Sequence, residues 1–385
     1  MDQPVYLDNA ATTELSKEVL EAMIPYMTGH FGNPSSTYSL GRTTRSAVEN
    51  ARKTVGRILG VKPSTLFFTS GGTESNNTAI AAAVNELGCT HIITSAIEHH
   101  AVLHTVAHYS KVRKVDYSCV KLSEHGEVDY RDLEEQLAMK SREGKKCLVS
   151  LMHANNEIGS LLDITLVGKL ARKYEALFHS DCVQTIGHYP IDLIAAGVHF
   201  VSAAGHKFHG PKGTGLLYVS QDVKAYPLIF GGGQERNVRA GTENVYGIIG
   251  FAKALELATA DFEKDSKYIA DINQLMRTLL KSAIPGITFN NPLNSLYTVL
   301  SVCFPEHEMS DMLVTFFDMK GICVSGGSAC SSGEDAGSHV MKALNKINGC
   351  STIRFSFSKH TTKEDLLKAV EVAASIFVKK DISVS

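Results

Sequence analysis

From about residue 45 to the lysine-bearing stretch near residue 205, helical and strand patterns alternate, and no other feature restricts the fold so strongly. RSAVENARKTVGRILG has helical periodicity, TLFFTS reads as a strand, and TESNNTAIAAAVNELG reads as a helix closed by Gly88. HIITSAIEHH follows as strand and loop, AVLHTVAHYSK as a helix and VRKVDYS as a short strand. CLVSLMHANNEIG reads as a buried strand, DITLVGKLARKYEA as a helix capped by Asp163, LFHSDCVQ as a strand, and DLIAAGVHFVSAA as one more helix-and-strand unit. Parallel strands need a crossover, usually a helix, so the alternation implies an α/β fold with a mainly parallel sheet covered by helices. Ligands on such sheets bind outside the carboxyl ends of the strands.

Near residue 250 the pattern changes. GIIGFAKALELATADFEKDSKYIADINQLMRTLLKSA reads as one or two long helices, and the remainder mixes strands and helices as a small α+β domain would. With 385 residues and 44% apolar content the chain can bury one large core and a smaller one. The net charge of -2, without a long basic or acidic run, gives no electrostatic footprint for nucleic acid or a membrane surface. The N-terminus has no signal-peptide pattern and no stretch of about 18 apolar residues occurs, so the expected location is the cytoplasm. Eight cysteines, at 89, 119, 147, 182, 303, 323, 330 and 350, contain no C-x-x-C pair and no histidine at zinc-ligand spacing. Their scatter argues against a disulfide framework and a metal site, and most read as small buried hydrophobes. Cys330 differs, because SGGSACSSGEDAGS is a run of small residues that cannot build a packed element.

Polar groups fall at the strand ends. TSGGTESNN joins a strand to a helix through two glycines, leaving backbone N–H groups and a positive helix end that suit a phosphate, although a plain tight turn has the same composition. Asp181 ends LFHSDCVQ, where a carboxylate is desolvated and calls for a positive partner. Lys207, in SAAGHKFHGPKGTG, leaves the core after the next strand and reaches the same sheet edge. The pair reads either as a buried structural ion pair or, beside a phosphate turn, as a site for pyridoxal 5'-phosphate. That cofactor needs a carboxylate at its ring nitrogen, a lysine for its aldehyde and a helix N-terminus for its phosphate.

A set of motifs running in order along nearly the whole chain resembles the cysteine desulfurases of the NifS/IscS type. They are LDNAATT at 7–13, GNPSS at 32–36, TSGGTESNN at 69–77, EHH at 98–100, MHANNEIG at 152–159, HSDCVQ at 179–184, GHKFHGPKG at 205–213, RAGTEN at 239–244, SGGSACSSG at 325–333 and IRFSF at 353–357. The resemblance implies the fold type I architecture of pyridoxal-phosphate enzymes, with a mainly parallel seven-stranded sheet between helices and a small α+β domain. It divides the chain into a large cofactor-binding domain, 15–257, and a small domain, 1–14 with 258–385, that carries the Cys330 loop. It also implies a homodimer that passes sulfur from L-cysteine to an acceptor or iron–sulfur scaffold protein.

Residue by residue, the resemblance makes Lys207 the Schiff-base lysine and proton carrier. Gly72, Thr73 and His206 would hold the phosphate, and Asp181 would keep the pyridine nitrogen protonated. Gln184 and Asn156 would bond the ring 3'-oxygen, and His99 would stack on the ring and move protons. Thr242 would complete the phosphate site of the partner subunit. Arg354 would clamp the substrate carboxylate, Asn33 would line the substrate side, and Cys330 would attack the substrate sulfur to form a persulfide, releasing L-alanine. An aminotransferase or lyase on the same scaffold needs no such cysteine, and a scaffold that only docks acceptors needs no lysine. Three positions depart from the family's pattern: Ala204 where a serine commonly reaches the phosphate, Tyr38 where a histidine is usual, and Cys182 where alanine is usual.

Overall fold

The chain opens with a two-residue strand, β1 (Val5–Tyr6), and then builds a seven-stranded sheet. Its members are β2 (Leu66–Thr69), β3 (His91–Thr94), β4 (Asp116–Cys119), β5 (Cys147–Ser150), β6 (Leu177–Asp181), β7 (Phe200–Ala204) and β8 (Gly215–Val219). This computed structural model describes residues 4–326, 337–346 and 350–377; Cys330 lies outside them. The strand order is β2-β8-β7-β6-β5-β3-β4, and only β8 runs antiparallel to its neighbours. The predicted parallel sheet is therefore present, with one reversed strand that the alternation of patterns does not announce. Because β8 is antiparallel, β7 returns through residues 205–214 without a crossover, and that return carries Lys207.

The central strands are buried along their whole length, whereas edge strand β4 is largely exposed. Alternation of side chains separates two apolar clusters. Phe68, Ile93, Val149, Phe178, Val201 and Leu216 face one layer of helices. That layer comprises α1 (Lys17–Thr28), α2 (Ser39–Ile58), α5 (Tyr130–Arg142), α6 (Ile164–Lys173) and α7 (Val245–Ala260). Phe67, Ile92, Leu148, Leu177, Phe200 and Leu217 face α3 (Gly72–Asn85) and α4 (His100–Arg113) on the other side.

Asp163 caps α6 as its sequence predicts, accepting from Leu166 N at 2.9 Å. Two helices stand outside the elements expected above: α1, capped by Ser16, and α5, capped by Asp129. Conversely, DLIAAG is a run of turns rather than a helix, with Asp192 accepting from Ile194 and Ala195 N. An Asx side chain that bonds the next backbone N–H groups can close a short turn as readily as start a helix.

The long apolar segment divides at Asp261 into α7 and α8 (Phe262–Ala283). Beyond it lies a second core containing Val5, Leu7, Ile272, Met276, Leu300, Phe304, Phe317 and Phe355. Its sheet is antiparallel, in the order β12-β13-β10-β9, built from β9 (Thr288–Phe289), β10 (Val299–Pro305), β12 (Ser325–Gly326) and β13 (Cys350–Ser356). β11 (Ile322–Cys323) pairs in parallel with β1, so the first residues of the chain close onto this later unit. Helices α9 (Leu313–Met319) and α11 (Lys363–Phe377) complete it, whereas α10 (His339–Ala343) packs Val340 and Met341 against Ile97 and Ile158.

One expectation about cysteine is corrected here. Cys303 and Cys350 form a disulfide between β10 and β13, with Cα atoms 5.4 Å apart. They lie 47 residues apart in sequence, and only antiparallel pairing of the two strands brings them within bridging distance. Cys89, Cys147 and Cys182 are buried free thiols as expected, whereas Cys119 is exposed. Among the described residues no helix is long and apolar enough to cross a membrane, and no group of His, Cys, Asp and Glu could hold a metal ion.

Candidate active site

The carboxyl ends of the strands surround a cavity of about 440 Å³. β2 leads into the α3 N-terminus with Gly72 and Thr73, β5 into the segment with Asn156 and Glu157, β6 ends in Asp181, and β7 leads into Lys207. A second cavity of about 470 Å³ shares Ala10, Gln184 and Lys207 with it but contains none of Gly72, His99, Asp181 or Arg354. Convergence of donors, rather than volume, identifies the first as the functional site.

Lys207 sits on a 3₁₀ turn, Gly205–Lys207, and its Nζ donates to Ala10 O at 2.7 Å and Ala11 O at 2.8 Å. Gln184 Nε2 donates to the same Ala10 oxygen at 3.0 Å. The LDNAATT segment is thus a wall of the site, supplying carbonyls that aim the ammonium. Asp181 is 5% exposed; its Oδ2 accepts from Asn76 Nδ2 at 2.6 Å and its Oδ1 from Val183 N at 3.0 Å. These donors hold both carboxylate oxygens in place. Asn76 lies one helical turn beyond Gly72, and its Oδ1 is buried without a partner.

No side chain caps the N-terminus of α3, so its first N–H groups are not taken by a capping side chain. A Cβ on Gly72 would stand 2.5 Å from Val183 Cγ2, which explains glycine where the helix start approaches the end of β6. His99 caps α4 through Nδ1, which accepts from Ala101 N at 3.1 Å. In the neutral ring the proton is therefore on Nε2. His206 Nδ1 lies 3.1 Å from Thr12 Oγ1, and burial, reinforced by the Lys207 and Lys212 ammoniums, pushes its imidazole down to about 4. It is a neutral hydrogen-bonding group at pH 7.

Arg354, on β13 and 4% exposed, donates to Asn156 O at 3.0 Å, Asp8 Oδ1 at 2.6 Å and Ser325 Oγ at 3.1 Å, while its Nε is buried without a partner. The guanidinium is held at the cavity wall by Asp8, a residue of LDNAATT to which its sequence context assigns no role. Glu157 and His339 also line the cavity, and sequence reasoning misses both. Glu157 stands within MHANNEIG, but nothing in the sequence places it against α10.

The departures from the family's pattern acquire plain readings. Ala204 lines the cavity without a polar group. Cys182 is fully buried and burial pushes its thiol up to about 12, so it is an inert packing residue. Tyr38 precedes α2 and is 57% exposed, outside the cavity wall. Asn33 is exposed, its Oδ1 accepting from Ser35 N at 2.9 Å, and the structure does not bring it to the cavity. Nor does it bring Thr242, which is exposed in the loop before α7 beside a separate cavity of about 170 Å³ with Ser70 and Arg239. The other described residues singled out from the sequence, Gly72, Thr73, His99, Asn156, Asp181, Gln184, His206, Lys207 and Arg354, share one cavity.

Residues 5–368 match the family described as aminotransferase class-V. A relative named cysteine desulfurase IscS, from Dictyoglomus turgidum, is 42% identical over 98% of this chain and 96% of its own. A solved structure of a NifS-like protein superposes with a TM-score of 0.88 at 35% identity, covering 97% of this chain and 99% of that one. Another, of SspA in complex with cysteine, has a TM-score of 0.81 at 30% identity over 93% of this chain and 99% of its own. By this full-length match and by the arrangement of its strand-end residues, the chain belongs to the class-V aminotransferase family.

Proposed function

We propose that the protein is a cysteine desulfurase that uses pyridoxal 5'-phosphate to move sulfur from L-cysteine to Cys330, leaving L-alanine. The observation that carries this reading is the convergence of Lys207, Asp181, the uncapped start of α3 and Arg354 on one cavity. The names of the relatives and the cysteine complexed with SspA support it. The donor set fits the cofactor: a buried carboxylate for a ring nitrogen, an ammonium aimed into the cavity, a helix N-terminus for a phosphate, and an unpaired Asn76 oxygen nearby.

Pyridoxal 5'-phosphate, when bound, supplies an electron sink for the substrate α-carbon. Lys207 would hold its aldehyde and afterwards carry protons at the α- and β-carbons. Gly72, Thr73 and His206 would hold the phosphate, with Thr242 contributed across a homodimer. Asp181, fixed by Asn76 and Val183, would keep the ring nitrogen protonated. Gln184 and Asn156 would orient the ring, His99 would cover its face, and Arg354 would take the substrate carboxylate through its unpartnered edge, with Asn33 lining the substrate side. Cys330 would receive the sulfur as a persulfide: an S–S bond forms as the substrate C–S bond breaks. Acceptor or iron–sulfur scaffold proteins would then remove it. The two apolar cores support a large domain over 15–257 and a small one over 1–14 and 258–385. We place the enzyme in the cytoplasm.

The test is a paired assay of visible absorbance with sulfide and alanine release from L-cysteine. Wild type and Cys330→Ala should both bind the chromophore, and only wild type should release sulfide with matching alanine. Full activity in Cys330→Ala would instead indicate a lyase or an aminotransferase.

A further inference from the structure

The cavity wall holds a carboxylate and an imidazole that face each other with nothing yet to do. Glu157 is 5% exposed; one of its oxygens accepts from the Ser338 hydroxyl, and the other lies 4.0 Å from His339 Nδ1. His339 Nε2 lies 2.9 Å from Glu98 O, and a carbonyl can only accept, so Nε2 carries the hydrogen. Nδ1 of the neutral ring is then a bare lone pair, buried without a partner and directed at a carboxylate. Ser338 in turn accepts from Met341 N at 3.0 Å, so the hydroxyl that steadies Glu157 also caps α10. Two acceptors face each other across a gap that one proton would bridge.

The other groups around the pair are already committed. Asp181 has both oxygens occupied, and the Nδ1 of His99 is the α4 cap. Burial pushes Glu98 up to about 8, so it is already protonated at neutral pH. His100 packs against His339 in a tilted arrangement with ring centroids 4.3 Å apart and leads on to His104 at 4.9 Å; burial lowers both His100 and His339, and neither is a resident cation. Arg354, anchored by Asp8, and Lys207 supply the positive charge of the cavity wall. Burial pushes Glu157 up to about 7, while Ser338, Arg354 and His99 act in the opposite sense.

We propose that Glu157 and His339 together form the proton acceptor of the cavity, taking the thiol proton of the bound amino-acid substrate. This rests on the desulfurase reading of the same site. The substrate carboxylate has no proton to give at neutral pH and belongs to Arg354, whereas the thiol, with an ordinary pKa near 8.5, keeps its proton unless a base removes it. In the step, the S–H bond breaks, its electron pair stays on sulfur, and an O–H bond forms at the Glu157 oxygen that Ser338 does not hold. His339 Nδ1, buried and facing that oxygen, shares the proton across the gap. No oxidant or reductant takes part, and reversal returns the proton.

Glu157→Gln keeps an acceptor for Ser338 but cannot take a proton, and His339→Gln removes the ring. In cofactor-loaded protein, each should lower sulfide and alanine release about 100-fold near pH 6.5. Most of that loss should be regained above about pH 8.5, where the thiol ionises unaided. A second readout needs no turnover: in protein labelled with ¹⁵N-histidine, the His339 nitrogen signal, assigned by its loss in His339→Gln, should take up its proton at lower pH in Glu157→Gln. Variant pH profiles parallel to wild type, or a His339 signal that titrates identically without the carboxylate, would overturn the proposal. If wild type releases no sulfide from L-cysteine, the desulfurase reading fails by itself, and the nitrogen signal alone decides whether the two groups share a proton.

Discussion

Arg354 shows how much work is done to hold one charge. Its guanidinium is bound by Asp8, Asn156 O and Ser325, which come from the N-terminal segment, the loop after β5 and β12. A buried arginine held in this way presents a planar fork in a fixed orientation, which a lysine cannot reproduce. Arg354→Lys should therefore raise the KM for L-cysteine about tenfold or more and lower kcat by less, because substrate binding is lost before chemistry. Steady-state kinetics on cofactor-loaded protein measures both. An equal fall in kcat with unchanged KM would mean that Arg354 does not meet the substrate carboxylate.

At the level of elements, the segment between β8 and α7 is held against its own backbone preference. Glu235, Arg236 and Asn237 take positive φ values of 42°, 58° and 68°, a left-handed run that costs energy in non-glycine residues. Glu235 offsets this cost: its carboxylate receives Arg52 through two bonds, at 2.7 and 2.8 Å, and Phe68 N at 2.8 Å. Arg52 is 2% exposed and also donates to Leu66 O at 2.9 Å, so the pair ties the segment to α2 and β2. Arg239, further along, pairs with Glu74 in the first turn of α3 at 3.0 Å, beside the candidate phosphate site. Glu235→Ala takes the two-bond carboxylate from the buried Arg52, leaving it with the more exposed Glu49 at 3.2 Å, and releases the turn, and should cost about 3 kcal/mol in chemical denaturation. A loss under about 1 kcal/mol would show that the left-handed run is held by something else.

For the molecule as a whole, buried titratable groups make stability depend on pH from both sides. Burial pushes His91, His153, His179, His206 and His209 down to about 4. Each is neutral when folded and binds a proton more readily when unfolded, so stability falls as pH drops from about 6.5 toward 4. Glu98 and Glu157 have the opposite sign: burial raises them to about 8 and about 7, so the folded state holds protons that the unfolded state releases. Their contribution is lost as pH rises from about 4.5 through those values. Below about pH 6.5 the five histidines outweigh the two glutamates; above about pH 7 the histidine effect fades and the glutamates dominate. Thermal unfolding should show a maximum near pH 6.5 to 7, and a Tm that climbs steadily from pH 5 to pH 9 would contradict this balance.

The alternation of patterns is enough to specify a parallel sheet, because a strand followed by a helix has one economical way to bury both faces. Lys207, Asp181 and the Gly72 turn were legible for the same reason, since function on such a sheet collects at strand ends. Local signals failed where a short segment has two adequate local solutions: DLIAAG could begin a helix or close as turns. For α1 and α5 the signals were present, a capping Ser16 or Asp129 followed by apolar residues one turn apart, such as Val19 and Met23 or Leu133 and Leu137. Pairings between distant parts of the chain belong to the tertiary structure alone. The antiparallel return of β8, the Cys303–Cys350 bridge, the grip of Asp8 on Arg354 and the approach of Glu157 to His339 each join residues that no spacing relates. Residue type and local order determine which elements form and which chemistry they can bear. The packing of two cores against each other determines which of those groups meet, because contact in the fold depends on distance in space and not on separation along the chain.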